Sequence, residues 1–122
     1  MARVLIVEDS PAMRGMLSSI VSQLDDCEVL EVGSGFDALR SLPRERVDLI
    51  LTDINMPDIN GLELISFVRS NPNFENTPVI VVSSEGSSRD REKALGLGAN
   101  AYVTKPFEPD DLLALVRKFL QR

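Results

Sequence analysis

The chain has 122 residues, 43% hydrophobic and 26% charged, with a net charge of −6, which is enough for one domain with one core and too little for two. Its positive residues form no run, so a nucleic-acid surface or an anionic membrane is excluded as the expected partner, and basic protein surfaces or divalent cations fit better. Histidine is absent and Cys27 is the lone cysteine, which removes the usual zinc ligand, the usual general base, any histidine phosphodonor in the chain and any internal disulfide.

Ala2-Arg3-Val4-Leu5-Ile6-Val7 is an apolar run that ends in Glu8-Asp9, a first buried strand with two carboxylates at its carboxyl end. It starts at once, with no signal peptide, and no apolar run approaches membrane-spanning length, so a cytoplasmic protein is expected. Ser10-Pro11 supplies an N-cap and a proline at the first helical position, and Met13, Leu17, Ile20 and Leu24 follow as the stripe of an amphipathic helix. Gly15 inside that helix costs roughly 1 kcal/mol relative to alanine. Glu28 to Val32 is a shorter, more polar strand suited to a sheet edge, and Ser34 can cap a helix carrying Phe36, Leu39 and Leu42 until Pro43 stops it.

Val47-Asp48-Leu49-Ile50-Leu51-Thr52-Asp53 is a nearly unbroken apolar or β-branched block, which predicts a central strand covered on both faces. Asp53 ends it and a turn-rich loop from Ile54 to Gly61 follows, placing that carboxylate at the mouth of the sheet. Gly61 to Arg69 predicts a helix with Leu62, Ile65 and Val68 on one face, closed by Asn71-Pro72. Pro78 to Val82 is the most β-branched segment and leads into Ser83-Ser84-Glu85-Gly86. Arg89 to Leu97 predicts a mostly polar helix with a thin stripe of Ala94, Leu95 and Leu97, the most weakly held of the five. Asn100 to Thr104 is a fifth strand ending at Lys105-Pro106, and Pro109 to Leu120 a last helix with Leu112, Leu115, Val116 and Phe119 in register. This alternation predicts an α/β fold, a doubly wound five-stranded parallel sheet in the flavodoxin-like order 2-1-3-4-5 with helices on both faces. One domain is expected over residues 1–122, with no effector domain attached.

The unusual polar residues stand at the carboxyl ends of strands: Glu8 and Asp9 after the first, Asp53 after the third, Ser83 after the fourth and Lys105 after the fifth. In the order 2-1-3-4-5 these ends meet in one crevice at the switch point, where open α/β sheets bind ligands. Three carboxylates in one crevice repel one another unless a cation lies between them, and an all-oxygen donor set suits Mg²⁺, which keeps waters and leaves positions for phosphate oxygens. A lysine and a hydroxyl beyond Asp53 are the donors needed by a phosphoryl group whose charge spreads over three oxygens.

The chain resembles the receiver domains of bacterial two-component response regulators, most closely the single-domain chemotaxis (CheY-like) type. The matching pieces are Val7-Glu8-Asp9-Ser10 with Pro11, Met13 and Arg14 behind it, Asp53-Ile54-Asn55-Met56-Pro57 with Gly61, Ser83-Ser84-Glu85, and Tyr102-Val103-Thr104-Lys105-Pro106-Phe107. The resemblance implies that a histidine kinase or phosphotransfer protein phosphorylates Asp53. It implies Mg²⁺ held by Asp9, Asp53 and the main-chain carbonyl of Asn55, with Glu8 acting directly or through water. Ser83 and Lys105 would contact the phosphoryl oxygens, the Lys105-Pro106 bond would be cis, Tyr102 would take part in switching, and Asn55 and Glu85 would tune the phosphoryl lifetime. Glu8 replaces the commoner aspartate, and Ser83 stands where many members have threonine. Such a protein is a monomeric signalling module with a downstream protein target, not a turnover enzyme; beyond its own phosphorylation it only slowly hydrolyses its own acyl phosphate.

Three rival readings compete. Gly33-Ser34-Gly35-Phe36-Asp37-Ala38 matches the dinucleotide fingerprint G-x-G-x-x-[GA], but it follows an edge strand away from the switch point and leaves Glu8, Asp9, Ser83 and Lys105 without a role. A haloacid-dehalogenase-type phosphatase places its aspartate on the first strand in a D-x-D pattern, unlike Asp53. A receiver-like interaction module that never accepts phosphate leaves the intact constellation unexplained.

Overall fold

Short apolar runs alternating with amphipathic stretches become ten elements in the computed structural model, which describes residues 1–84, 86 and 88–121. In chain order they are β1 (Ala2–Val7), α1 (Pro11–Val21), β2 (Cys27–Val32), α2 (Gly35–Ser41), β3 (Leu49–Thr52), α3 (Gly61–Ser70), β4 (Val79–Ser83), α4 (Ser88–Leu97), β5 (Ala101–Thr104) and α5 (Pro109–Leu120). The strands pair in parallel in the order β2-β1-β3-β4-β5, the predicted doubly wound sheet.

Side chains alternate across each strand and so feed two cores. On one face Val4, Ile6, Leu49, Leu51, Ile80 and Val82 pack against Leu17, Ile20 and Val21 of α1 and Leu112, Leu113 and Val116 of α5. On the other, Leu5, Val7, Ile50, Val79, Val81 and Tyr102 pack against Ala38 of α2, Leu64, Ile65 and Val68 of α3 and Ala94 of α4. All of β3 is buried, as its unbroken apolar run requires, whereas the edge strand β2 is only half-buried and exposes Glu31. Helix starts follow local chemistry. Ser10 Oγ accepts from the Met13 N–H at 3.3 Å and Ser34 Oγ from the Asp37 N–H at 3.1 Å. Asn60 and Glu63 form a capping box at α3, satisfying donors that a helix start otherwise leaves open.

β3 is shorter than the expected strand over residues 47–53, Leu64 and Leu113 join the inward faces of α3 and α5, and three helices differ further. The first ends at Val21, and the chain turns through Gln23 and Leu24 to Asp26, whose φ is 63° and whose carbonyl accepts from Ala2. Leu24 is still buried, but from the turn and not from the helix. In α2 the inward face is Gly35, Ala38 and, just past the helix, Leu42, so Phe36 points outward and is 54% exposed with the Arg40 guanidinium 6.0 Å from its ring. In α4 the stripe reduces to Ala94, because Leu95 and Leu97 lie about 100° and 60° to either side of it on a 3.6-residue helix and both are exposed. That helix has the fewest buried residues of the five helices among the described residues.

Candidate functional site

Backbone hydrogen bonds carry the sheet one residue past its strand ends and so aim the carboxylates. The Glu8 N–H donates to the Val32 carbonyl and the Asp53 N–H to the Val7 carbonyl, both at 3.2 Å. Glu8 and Asp53 therefore stand side by side on the neighbouring strands β1 and β3, at the switch point, and both are buried while Asp9 is exposed. Lys105, just past β5, donates its backbone N–H to the Ser83 carbonyl at 2.8 Å and reaches back over the strand ends. Its Nζ lies 2.8 Å from Glu8 Oε1 and 3.1 Å from Asp53 Oδ2. Burial disfavours that ammonium, but the hydrogen bonds it donates to Glu8 and Asp53, together with their charges, outweigh burial and hold its pKa above the ordinary lysine value.

Asp53 is oriented from its other side as well. Its Oδ1 accepts from the Ile54 N–H at 2.6 Å and, more loosely, from the Asn55 N–H at 3.4 Å. The turn behind it is tight: the Gly61 N–H donates to the Ile54 carbonyl at 2.8 Å, and a Cβ on Gly61 would lie 2.1 Å from the Asp53 carbonyl oxygen. Only glycine lets α3 begin that close to the carboxylate loop. Buried Thr52 donates its hydroxyl to the Asp53 carbonyl at 2.9 Å. Glu8 is held through both oxygens, Oε1 by Lys105 and Oε2 by the Ser10 N–H at 3.1 Å, and Arg14 Nη1 donates to its carbonyl at 2.8 Å.

Glu8, Asp9 and Asp53 each offer a carboxylate oxygen, and these atoms lie within 4.8 Å of one another. One ammonium against three carboxylates leaves a local excess of negative charge, and the donors are hard oxygens opening to solvent at Asp9, so the residues present fit a divalent cation of the Mg²⁺ class.

The expected site residues are placed as follows. Glu8, Asp53 and Lys105 touch directly, and Asp9 joins them at the mouth beside exposed Asn55. Ser83 is fully buried at the end of β4, between the strands that deliver Asp53 and Lys105. Tyr102 lies deeper, opposite Val81 in the register of β5 against β4 and packed in the core under α3 and α4, with the Arg91 guanidinium 5.5 Å from its ring centre. Ser83, two residues beyond Val81, shares that face of the sheet. The Lys105-Pro106 bond is cis. Glu85 lies outside the described residues.

Sequence reasoning gave no physical role to Gly61, Thr52 or Arg14. The first had a local signal, a glycine opening a helix, but not the reason for it. The Gly33-Ser34-Gly35 turn has structural duties: Ser34 caps a helix of seven residues, and a Cβ on Gly35 would lie 2.3 Å from the Ile59 carbonyl oxygen. Asp58 Oδ2 closes the same contact by accepting from the Phe36 N–H at 3.0 Å. The Ile59 N–H first, and that of Phe36 after it, hold the Asp58 carboxyl below its ordinary range. The turn follows the edge strand β2 and not the switch point between β1 and β3, and the dinucleotide reading is not favoured.

Known proteins are similar to this chain over most of its length. A family model described as the response regulator receiver domain matches residues 4–117. A chemotaxis protein CheY homolog of Campylobacter jejuni is 39% identical over 111 residues, covering 90% of this chain and 85% of the relative. Protein PilG of Pseudomonas aeruginosa is 30% identical over 115 residues, 94% of this chain and 84% of its own length. The solved chemotaxis protein CheY4 of Vibrio cholerae superposes with a TM-score of 0.89 at 32% identity, with 98% of each chain covered. With the strand order, the carboxylate crevice and a family match over nearly all its length in agreement, this chain belongs to the response regulator receiver domain family, a family of signalling proteins and not of turnover enzymes.

Proposed function

We propose that Asp53 is the phosphoacceptor of a two-component or phosphorelay switch, charged by a histidine kinase or a phosphotransfer protein. The observation that carries this reading is the held carboxylate: Asp53 is buried at the switch point, with Oδ1 on the Ile54 N–H and Oδ2 on the Lys105 ammonium. A carboxylate fixed at both oxygens pays little orientational cost when it attacks phosphorus.

In the transfer an Asp53 oxygen forms a bond to phosphorus while the P–N bond to the donor imidazole breaks, and the imidazole leaves with the bonding pair. Asp9, Asp53 and the Asn55 main-chain carbonyl would hold Mg²⁺, which would supply positive charge to the phosphoryl oxygens. Glu8, with one oxygen on Lys105 and the other on the Ser10 N–H, acts through water and through the lysine. Lys105 and the Ser83 hydroxyl donate to the equatorial oxygens, where charge is spread in the transition state. By resemblance to the family, Asn55 and Glu85 tune the lifetime of the acyl phosphate, which the chain hydrolyses slowly.

Phosphorylation adds close to one further negative charge and three acceptors, drawing Ser83 and Lys105 inward. Tyr102, on the same face of the sheet as Ser83, passes the change to α4, β5 and α5, where a downstream protein is bound. The chain acts as one monomeric domain over 1–122 in the cytoplasm; among the described residues no helix is long and apolar enough to cross a membrane. Chemotaxis, named in its Campylobacter and Vibrio relatives, is the process proposed.

The test is intact-mass measurement after incubation with a small acyl-phosphate donor and Mg²⁺. One phosphoryl group is expected on the parent and none on Asp53→Asn. An unmodified parent, or equal labelling of Asp53→Asn, removes Asp53 from the role.

A further inference from the structure

Arg69, in the last turn of α3, has a guanidinium that the phosphoryl chemistry does not use. Its Nε donates to the Gly98 carbonyl at 3.0 Å, its Nη1 to the carbonyls of Glu75 at 3.0 Å and Thr77 at 2.7 Å, and its Nη2 to Asn100 Oδ1 at 2.8 Å. That same Asn100 oxygen accepts from the Val79 N–H at 2.9 Å, and the Asn100 N–H donates to the Val79 carbonyl at 2.7 Å. One side chain thus ties the residue after α4, the entry to β5, the entry to β4 and the end of α3 into a single junction. The planar fork of donors is what reaches several acceptors at once, which a lysine ammonium does not reproduce. Gly98 completes the fit: its φ is 117°, and a Cβ there would lie 2.8 Å from Arg69 Cγ.

The opposite end of α4 is held differently. Ser88 and Arg89 are exposed, and Ala94 is the buried residue of the helix. Arg91 meets the sheet through the Tyr102 ring. That end also follows the loop that leaves buried Ser83, the residue drawn toward a phosphoryl group in the reading above. A helix of ten residues is about 15 Å long, so fixing one end and pulling near the other produces a swing, not a slide.

We propose that Arg69 is a positioning residue that pins the C-terminal end of α4 and makes Gly98 the fixed point about which that helix swings on phosphorylation. The direction of signalling rests on the Asp53 reading, whereas the pin itself does not. Its consequence is that the partner-facing surface changes at Ser88 to Glu92, where Arg91 carries its contact with Tyr102, while exposed Leu95 and Leu97 stay nearly still. The face presented to a partner then combines a moving polar half with a fixed apolar half.

Amide hydrogen exchange along residues 88–100 tests this in the full chain, comparing the parent with Arg69→Ala and Gly98→Ala, each before and after treatment with a small acyl phosphate and Mg²⁺. In the parent the Gly98 N–H donates to the Leu95 carbonyl at 3.1 Å and the Ala99 N–H to the Ala94 carbonyl at 3.0 Å. Before treatment, both should exchange about tenfold faster in the variants while amides of α1 and α5 keep parent rates, as expected for a local opening. After treatment, the parent should respond at 88–92 alone and the variants across 88–100, with phosphoryl uptake by Asp53 unchanged. Parent-like exchange at 98 and 99 in folded Arg69→Ala, or a parent response equally large at both ends of α4, overturns the proposal. Gly98→Ala strikes the junction from its other side and decides the matter if Arg69→Ala does not fold. A parent that takes up no phosphoryl group refutes the Asp53 reading, and the untreated comparison then decides the pin.

Discussion

Lys105→Met keeps most of the apolar stem and deletes the ammonium that lies 2.8 Å from Glu8 Oε1 and 3.1 Å from Asp53 Oδ2. Glu8, 1% exposed, would retain the Ser10 N–H as the partner of its carboxylate among the described residues, and Asp53 would keep the Ile54 and Asn55 N–H groups. Removing one partner of a buried pair costs about 3–5 kcal/mol, because the remaining charge stays desolvated. The Lys105 side chain is 15% exposed and the crevice opens to water at Asp9, so the lower end applies, about 3 kcal/mol. For a domain of this size that corresponds to a fall in Tm of roughly 10 °C. Urea denaturation of the parent, Lys105→Met and the double variant Lys105→Met/Glu8→Gln measures it at pH 7. The double variant should recover at least half of the loss, since a neutral amide then replaces the stranded carboxylate. The sign of the pH dependence follows from the raised pKa of Lys105: its stabilisation is fully present below the ordinary value of 10.5 and is lost as pH climbs through the higher folded-state value. The gap between parent and Lys105→Met should hold from neutral pH to the ordinary lysine range and narrow above it. A gap below about 0.5 kcal/mol at pH 7, the scatter expected of ordinary surface substitutions, or a double variant no more stable than the single one, would refute the idea that this lysine neutralises Glu8.

Gly61→Ala places a methyl 2.1 Å from the Asp53 carbonyl oxygen; a loss of about 1–3 kcal/mol and slower phosphoryl uptake are expected, and a variant matching the parent in both would show that the loop yields freely. Asp9→Asn should weaken a Mg²⁺ affinity expected in the millimolar range, about −4 kcal/mol, because few protein ligands contact the ion. Calorimetric titration checks this, and unchanged affinity would remove Asp9 from the metal site. Ser83→Ala and Tyr102→Ala should each allow phosphorylation of Asp53 yet shrink the response beyond it. Two contacts to a charged group, at roughly 1.5–3 kcal/mol each, approach the roughly 5.5 kcal/mol that turns a 1:99 equilibrium into 99:1. Backbone amide shifts of the parent confined to the loops around Asp53, never reaching residues 89–115, would rule out that route.

Most of the architecture was legible along the chain because its signals are local. Each strand is an apolar run stopped by polar residues, the helices between them show their own period, and right-handed crossovers leave few arrangements of such a series. The residues of the crevice were legible for the same reason: Glu8, Asp9, Asp53, Ser83 and Lys105 all sit where a strand stops. Periodicity could not say which way a short helix turns. Phe36 and Leu95 are apolar, but each lies about 100° round its helix from a small buried neighbour; Gly35 against Ile59 and Ala94 in the core decide the rotation, and both larger side chains end in solvent. The length of α1 was likewise set from outside, by the Asp26 carbonyl that the first strand needs.

The contacts that make the crevice work join distant parts of the chain. Lys105 is 97 residues from Glu8 and 52 from Asp53, yet its ammonium bridges the two. Spacing in a sequence carries no record of such distances. They come into being only when five strands in the order β2-β1-β3-β4-β5 bring their carboxyl ends to one edge, so that the residue types are chosen locally and their mutual geometry belongs to the sheet.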